Sequence, residues 1–178
     1  ILSIESSGET CGVALSEGKN ILANYSIFGR NVHDKMLAEN VRRVLADNEL
    51  KADELDAVAV SAGPGSFTGL RIGGSIGKAL CYGGQPKFIA VPTMDALAME
   101  AWKYQEISGF ERILVIIQAY KNQIYLREYD HSAEPIEDIE QKEFKDVDIL
   151  KLKDTLVCGP GSCMFDDLRQ PGILCSLS

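Results

Sequence analysis

Short apolar runs, some of them alternating with polar residues, occupy the first 28 residues, and apolar positions at helical spacing follow soon after. Ile1 to Glu5 alternates weakly, and Cys11, Val13 and Leu15 share one face of Thr10 to Ser16. The polar turns Ser6-Ser7-Gly8-Glu9 and Glu17-Gly18-Lys19-Asn20 set these runs apart from each other and from Ile21 to Phe28. Three consecutive antiparallel strands are predicted. Met36, Leu37, Val41, Val44 and Leu45 then fall on one side of a helix that runs from Asn31, its N-cap, to about Glu49, with Asp34 near the positive end of the dipole. Asp53-Glu54-Leu55 leads into a strand over Ala57 to Ser61, a glycine-rich turn and a second helix. Gln85-Pro86 ends that helix, Phe88 to Val91 is a further strand, and Thr93 caps a helix to about Tyr104. The order is βββαβαβα.

The pattern then begins again. Arg112 to Gln118 is a strongly apolar strand, Lys121-Asn122 a turn, and Ile124 to Tyr129 an alternating partner strand. Thr155-Leu-Val-Cys-Gly-Pro-Gly-Ser162 repeats the strand and Gly-Pro-Gly-Ser turn of Val58 to Ser66, while His131 to Asp154 is acidic and poorly patterned, with strand-like fragments at most. The repeat places one domain over residues 1–104 and a second, reduced one over 105–178. Four identical residues in a turn that favours Gly and Pro anyway leave coincidence as the competing account.

The second helix carries Gly69, Gly73 and Gly77 at i, i+4, i+8, beside an apolar surface of Leu70, Ile72, Ile76 and Leu80. An interior glycine costs roughly 1 kcal/mol against alanine, so the stripe calls for close packing against its bare backbone. Either the monomer core or a second protein supplies that packing, and the partner face is the sharper expectation.

The stretch Ser61-Ala-Gly-Pro-Gly-Ser-Phe-Thr-Gly-Leu-Arg-Ile-Gly73 resembles the signature of the bacterial TsaB (YeaZ) family. The likeness covers Ile1 to about Ala101, weakens through Tyr129 and then fades. It implies an α/β fold of the actin/sugar-kinase/Hsp70-like (ASKHA) superfamily, with two ribonuclease H-like halves in tandem, the second degenerate or incomplete. It also implies a non-catalytic partner and activator of the transferase TsaD, which modifies adenosine beside the tRNA anticodon. A TsaE-like ATPase would be a further component, and the chain would form a homodimer when alone. The expected partner interface comprises His33, Leu37, Val41, Val44, Gly69, Arg71, Gly73 and Gly77. Relatives are usually longer at the C-terminal end. Ile1 in place of an initiator methionine also suggests that the numbering describes part of a longer product.

Composition narrows the chemistry. A net charge of -8 argues against direct nucleic-acid binding, which needs clustered Lys and Arg. With no apolar run of about 18 residues and no charged-then-apolar leader, a soluble cytoplasmic protein without membrane contact is expected. Cys11, Cys81, Cys158, Cys163 and Cys175 form an odd set without a C-x-x-C pair, so neither a disulfide framework nor a zinc site is expected. His33 and His131 are the only histidines, too few for a metal peptidase.

The remaining candidate is a vestigial phosphate loop made by Glu5, Ser7, Gly63, Gly65, Ser66 and Thr68. Gly73 to Ala79 fails the P-loop template, and Ser75 of Gly73-Gly-Ser-Ile-Gly77 lies inside a helix, where no nucleophile elbow forms. The resemblance places Glu5 where superfamily members carry Asp, Gln118 at the matching place of the second half, and Thr93 and Leu97 where TsaD has a histidine pair. Neutral Gln118 does not replace a carboxylate beside magnesium, so no catalytic residue, no metal and no cofactor in the isolated chain are expected, with ATP or ADP confined to the partner complex. An ATP-dependent phosphotransferase or carbamoyl transferase using Glu5 and the Gly63 to Gly69 loop is the alternative.

Overall fold

The computed structural model describes residues 1–29, 33–104, 109–148, 152, 154–164 and 173–175, with the side chains of 33–35 and 173–175 left out. Strands β1 (Leu2–Glu5), β2 (Thr10–Glu17) and β3 (Asn20–Phe28) form the antiparallel meander that the alternation predicts, and β4 (Ala57–Ser61) and β5 (Lys87–Val91) extend it in parallel from the other side of β1. The sheet order is β3-β2-β1-β4-β5. Leu2, Ile4, Val13, Leu15, Val58 and Val60 point to one face and are buried there with Leu37, Val41, Val44 and Leu45 of α1 (His33–Asp47). Helix α2 (Phe67–Cys81) packs beside α1 on the same face.

Helix α1 ends at Asp47, two residues before the expected Glu49. Glu49 has a left-handed φ of 55°, its N–H donates to Ala46 O at 3.1 Å, and the Leu50 N–H donates to Leu45 O at 2.9 Å. This pair of crossed hydrogen bonds closes the helix in the manner glycine usually allows. The expected N-cap Asn31 lies outside the described residues, as do the side chains of His33 and Asp34.

The second sheet is built from β6 (Arg112–Gln118), β7 (Gln123–Tyr129), β8 (Glu140–Glu143), β9 (Thr155–Cys158) and β10 (Ile173–Cys175), in the order β10-β9-β6-β7-β8. Strands β6, β7 and β8 are antiparallel neighbours, and β6, β9 and β10 are parallel ones. Read from the β8 edge, this is the strand order and direction of the first sheet. Strand β6 is buried on both faces: Ile113, Val115 and Ile117 on one, Leu114 and Ile116 on the other. That explains its unbroken apolar run. Strand β8, Glu140-Gln-Lys-Glu143, has no apolar side chain and joins through backbone pairing to β7, so hydrophobic alternation gave no sign of it.

The chain divides into two compact units, Ile1–Pro92 and Thr93–Ser178. The division falls before α3 (Thr93–Trp102), whereas the repeat in the sequence set it after Tyr104. The reason is packing. Met94, Ala98 and Ala101 of α3 are fully buried with Ile113, Val115, Leu156 and Cys158 of the second sheet. Two polar bonds reinforce the contact: Asp95 Oδ1 accepts from Tyr129 OH at 2.7 Å and from Arg127 Nη1 at 3.1 Å. Burial, and then the bond to Asp95, push the Tyr129 hydroxyl well above its usual pKa. Burial likewise raises the Cys158 thiol, to about 12.

Candidate functional site

The conspicuous local geometry lies where β4 turns into α2. The Gly63-Pro64 peptide is cis, and Gly63 has φ of 97°. Gly65 passes so close to β1's end that an added Cβ would stand 2.4 Å from Ser7 O, and the next N–H, of Ser66, donates to that oxygen at 2.6 Å. Ser66 is also the N-cap of α2, its Oγ accepting from Gly69 N at 3.2 Å. On the other side, Glu5 Oε1 accepts from Ser7 N at 2.5 Å and from Ser7 Oγ at 2.6 Å, while Ser61 Oγ accepts from Ser6 N at 3.2 Å.

Glu5, Ser7, Gly63, Gly65 and Ser66 thus come together as the sequence suggests, but their donors and acceptors are spent largely on each other. Thr68 stands apart, exposed on the first turn of α2. Ser7 N and Oγ both donate to Glu5 Oε1, which holds this carboxylate against the end of β1.

The second Gly-Pro-Gly-Ser turn also closes over the first strand of its own sheet, with a different set of contacts. Gly159 has φ of 94°, and Gly161 N donates to Ile116 O at 3.0 Å. Strand register makes the match explicit. Val60, three residues before Gly63, pairs with Ile4; Leu156, three before Gly159, pairs with Ile113. Counted this way, Ser7 stands level with Ile116 and Glu5 with the buried Leu114, although the N–H that reaches the strand is that of Ser66 in the first turn and of Gly161 in the second. Counted from the hairpins instead, Gln118 closes β6/β7 as Glu5 closes β1/β2.

The glycine stripe faces inward. A Cβ on Gly69 would stand 2.0 Å from Ser6 O, one on Gly73 2.2 Å from Ser6 Oγ, and one on Gly77 2.5 Å from Val60 Cγ2. Only hydrogen fits at these positions, so the cost of three helical glycines is offset by bringing α2 onto β1 and β4. The expectation that Gly69, Gly73 and Gly77 face a partner is corrected on this ground. So is that for Leu37, Val41 and Val44, which are at most 5% exposed in the core of the same unit. The His33 side chain lies outside the described residues.

Arg71 is the expected interface residue that the structure leaves exposed. Positions 67, 71 and 75 lie about 200° around the helix from the glycines, on the outer side of α2. Phe67 is 73% exposed, and the Arg71 guanidinium sits 5.1 Å from its ring centre. Phe67, Thr68, Arg71, Ile72, Ser75 and Ile76 line a shallow, mostly apolar groove of about 430 Å³. Phe67 was the missing element of the sequence reading, and its signal was its place opposite the glycines on the helical wheel.

Comparison with known proteins gives a consistent picture. A family described as tRNA N6-adenosine threonylcarbamoyltransferase, TsaD, matches residues 27–161. The tRNA threonylcarbamoyladenosine biosynthesis protein TsaB of Escherichia coli K12 is 32% identical over 136 residues, 76% of this chain and 57% of that protein. The protein of the same name from Bacillus subtilis 168 is 27% identical over 139 residues, 78% of this chain and 58% of the relative. The chain therefore spans somewhat more than half the length of these relatives. Among solved structures, a Pseudomonas aeruginosa protein described as similar to peptidase YeaZ superposes with a TM-score of 0.80 at 24% identity, covering 99% of this chain and 83% of the other. YeaZ from the same organism gives a TM-score of 0.77 at 24% identity, covering 97% and 82%.

Proposed function

The chain belongs to the TsaB (YeaZ) family of tRNA threonylcarbamoyladenosine biosynthesis proteins, and from that premise we propose that it is the non-catalytic partner and activator of a TsaD-type transferase. Its two mixed sheets have the ASKHA-like α/β fold of that family. The observation that carries the proposal is the outer face of α2, where Phe67, Ile72 and Ile76 leave an apolar groove open on a helix whose opposite side is fixed to the sheet by glycines. Exposed apolar surface of this kind suits protein association. The transferase would dock there, with α1 alongside.

In this reading the two units are tandem ribonuclease H-like halves, the second reduced. The shared strand order and the two Gly-Pro-Gly turns support the duplication. The catalytic work belongs to the partner, because the loop at Glu5 spends its hydrogen-bonding groups on itself. A TsaE-like ATPase joins the assembly, nucleotide enters only with those partners, and the setting is the cytoplasm. Without a transferase the chain self-associates through the same face. Activation follows if docking favours the transferase's active arrangement over its other conformations.

Size-exclusion chromatography with light scattering, on the chain alone and mixed with a TsaD-type transferase, tests the proposal. A one-to-one complex that raises transferase turnover is expected. A chain that ignores the transferase, or that binds magnesium-ATP and turns it over unaided, would favour the phosphotransferase reading instead.

A further inference from the structure

In a chain with net charge -8, α2 runs from Phe67 to Cys81 with two cations, Arg71 and Lys78, and no carboxylate. Both cations are exposed, and neither has a carboxylate partner among the described residues. Seven residues apart, they lie on one side of the helix with about 10 Å of rise between them, flanking the groove of Phe67, Ile72 and Ile76. Among its described side chains, the neighbouring helix α1 forms no ion pair with them. Its Arg42 is bonded to Glu39 at 2.6 Å, its Arg43 lies over the Tyr25 ring at 5.8 Å, and its Asp47 accepts from Tyr25 OH.

We infer that the outer face of α2 receives a protein surface that is apolar opposite Phe67, Ile72 and Ile76 and carries carboxylates opposite Arg71 and Lys78. The inference rests on the partner-subunit reading above and gives that partner its chemistry. A nucleic acid suits the face less well, because two cations beside an apolar groove neutralise few phosphates. A second copy in a two-fold arrangement suits it less well too. An isologous contact whose two-fold axis passes through α2 sets that helix against its copy, bringing the cations of one copy towards those of the other, and like charges across an interface oppose pairing. Self-association through this face is consequently weak at low salt and strengthened by screening, while the acidic partner behaves in the opposite sense.

The charge-reversed double variant Arg71→Glu/Lys78→Glu supplies an acidic copy of the same face, so the inference is testable without the transferase. Native mass spectrometry of a mixture of wild type and variant at about 50 mM salt should show the mixed pair at least about tenfold tighter than either self-pair, with the preference lost near 500 mM. The neutral variant Arg71→Gln/Lys78→Gln should fall between, and circular dichroism checks that each variant is folded. The acidic variant should also bind the transferase at least about tenfold more weakly than wild type does. Mixed and self-pairs of equal strength would overturn the inference, as would a transferase that binds all three proteins alike, which leaves the partner reading intact. A transferase that ignores wild type would defeat that reading, while the mixed-pair result still decides the charge question. Transfer RNA bound by wild type and released by the acidic variant would overturn the inference in favour of a nucleic-acid surface.

Discussion

The two Gly-Pro-Gly-Ser turns occupy equivalent places in their sheets and do different work. The first crosses β1 just after the strand has ended, at Ser7, where the chain is free to turn and Glu5 can fold back onto Ser7 N and Oγ. The second crosses β6 at Ile116, where the strand continues to Gln118 and the residue two before the crossing is the buried Leu114. One turn has kept a carboxylate and a helix cap around it; the other is packed against an apolar strand. The difference teaches that a repeated glycine motif specifies how closely a loop approaches a strand, while the residues on that strand decide whether any polar chemistry is left there.

The largest expected effect separates core glycines from free ones on α2. Gly69→Val forces carbon into Ser6 O and should lower stability by about 3 kcal/mol, at the upper end for overpacking. Gly74 has nothing within 4 Å of its would-be Cβ, so Gly74→Ala should instead gain up to about 1 kcal/mol from helix propensity. Urea midpoints followed by circular dichroism check both. Equal costs at the two positions would mean that the stripe is not what seats α2 on the sheet.

Next come the turns themselves. Gly159 combines φ of 94° with a carbonyl, Ile116 O, 2.5 Å from its would-be Cβ, whereas Gly63, at φ of 97°, meets only the tip of Leu70 at 3.2 Å. Gly159→Ala should therefore cost about 2–3 kcal/mol and Gly63→Ala about 1–2 kcal/mol, the latter being the left-handed penalty alone. Trp102, the chain's single tryptophan, lies in the second unit and reports Gly159→Ala by fluorescence. The reverse ranking would mean that the Ile116 carbonyl is not what constrains the second turn.

Glu5 and Gln118 give the chemical version of the contrast. Glu5→Ala removes an acceptor from two donors at the end of β1 and should cost about 1–1.5 kcal/mol. Gln118→Ala, at an exposed hairpin end, should stay within about 0.5 kcal/mol. If Glu5→Ala were neutral in urea and also created magnesium-ATP binding by calorimetry, the loop would be a usable nucleotide site held shut, and the non-catalytic reading would weaken.

Much of this was legible in the sequence, and what was not has physical causes. The meander, the three helices and β6 follow from periodicity because each buries a continuous apolar face. The direction of the glycine stripe was ambiguous, since a bare backbone is equally suited to a sheet or a foreign helix. Only the carbonyl of Ser6 pointing at Gly69 decides it. Assigning α3 to the first domain followed chain order, but helices pack where their apolar side chains fit, and Met94, Ala98 and Ala101 fit the second sheet. The binding face was inverted for a related reason: Leu37, Val41 and Val44 are what a core needs, and an interface built on them would have to unfold it.

The end of α1 offers the smallest and cleanest test of how far local signals reach. Glu49 holds a left-handed φ of 55° in a hydrogen-bonding pattern that glycine serves best, because its side chain crowds the backbone there. Glycine at the site relieves that strain but loses more freedom on folding, so the two terms largely cancel. Glu49→Gly should gain about 0.5 kcal/mol, read as a small rise in urea midpoint at constant slope. A loss of similar size would show that the Glu49 side chain contributes through a contact absent from the local pattern, and that the first unit's fold depends on more than its crossed backbone bonds at this corner.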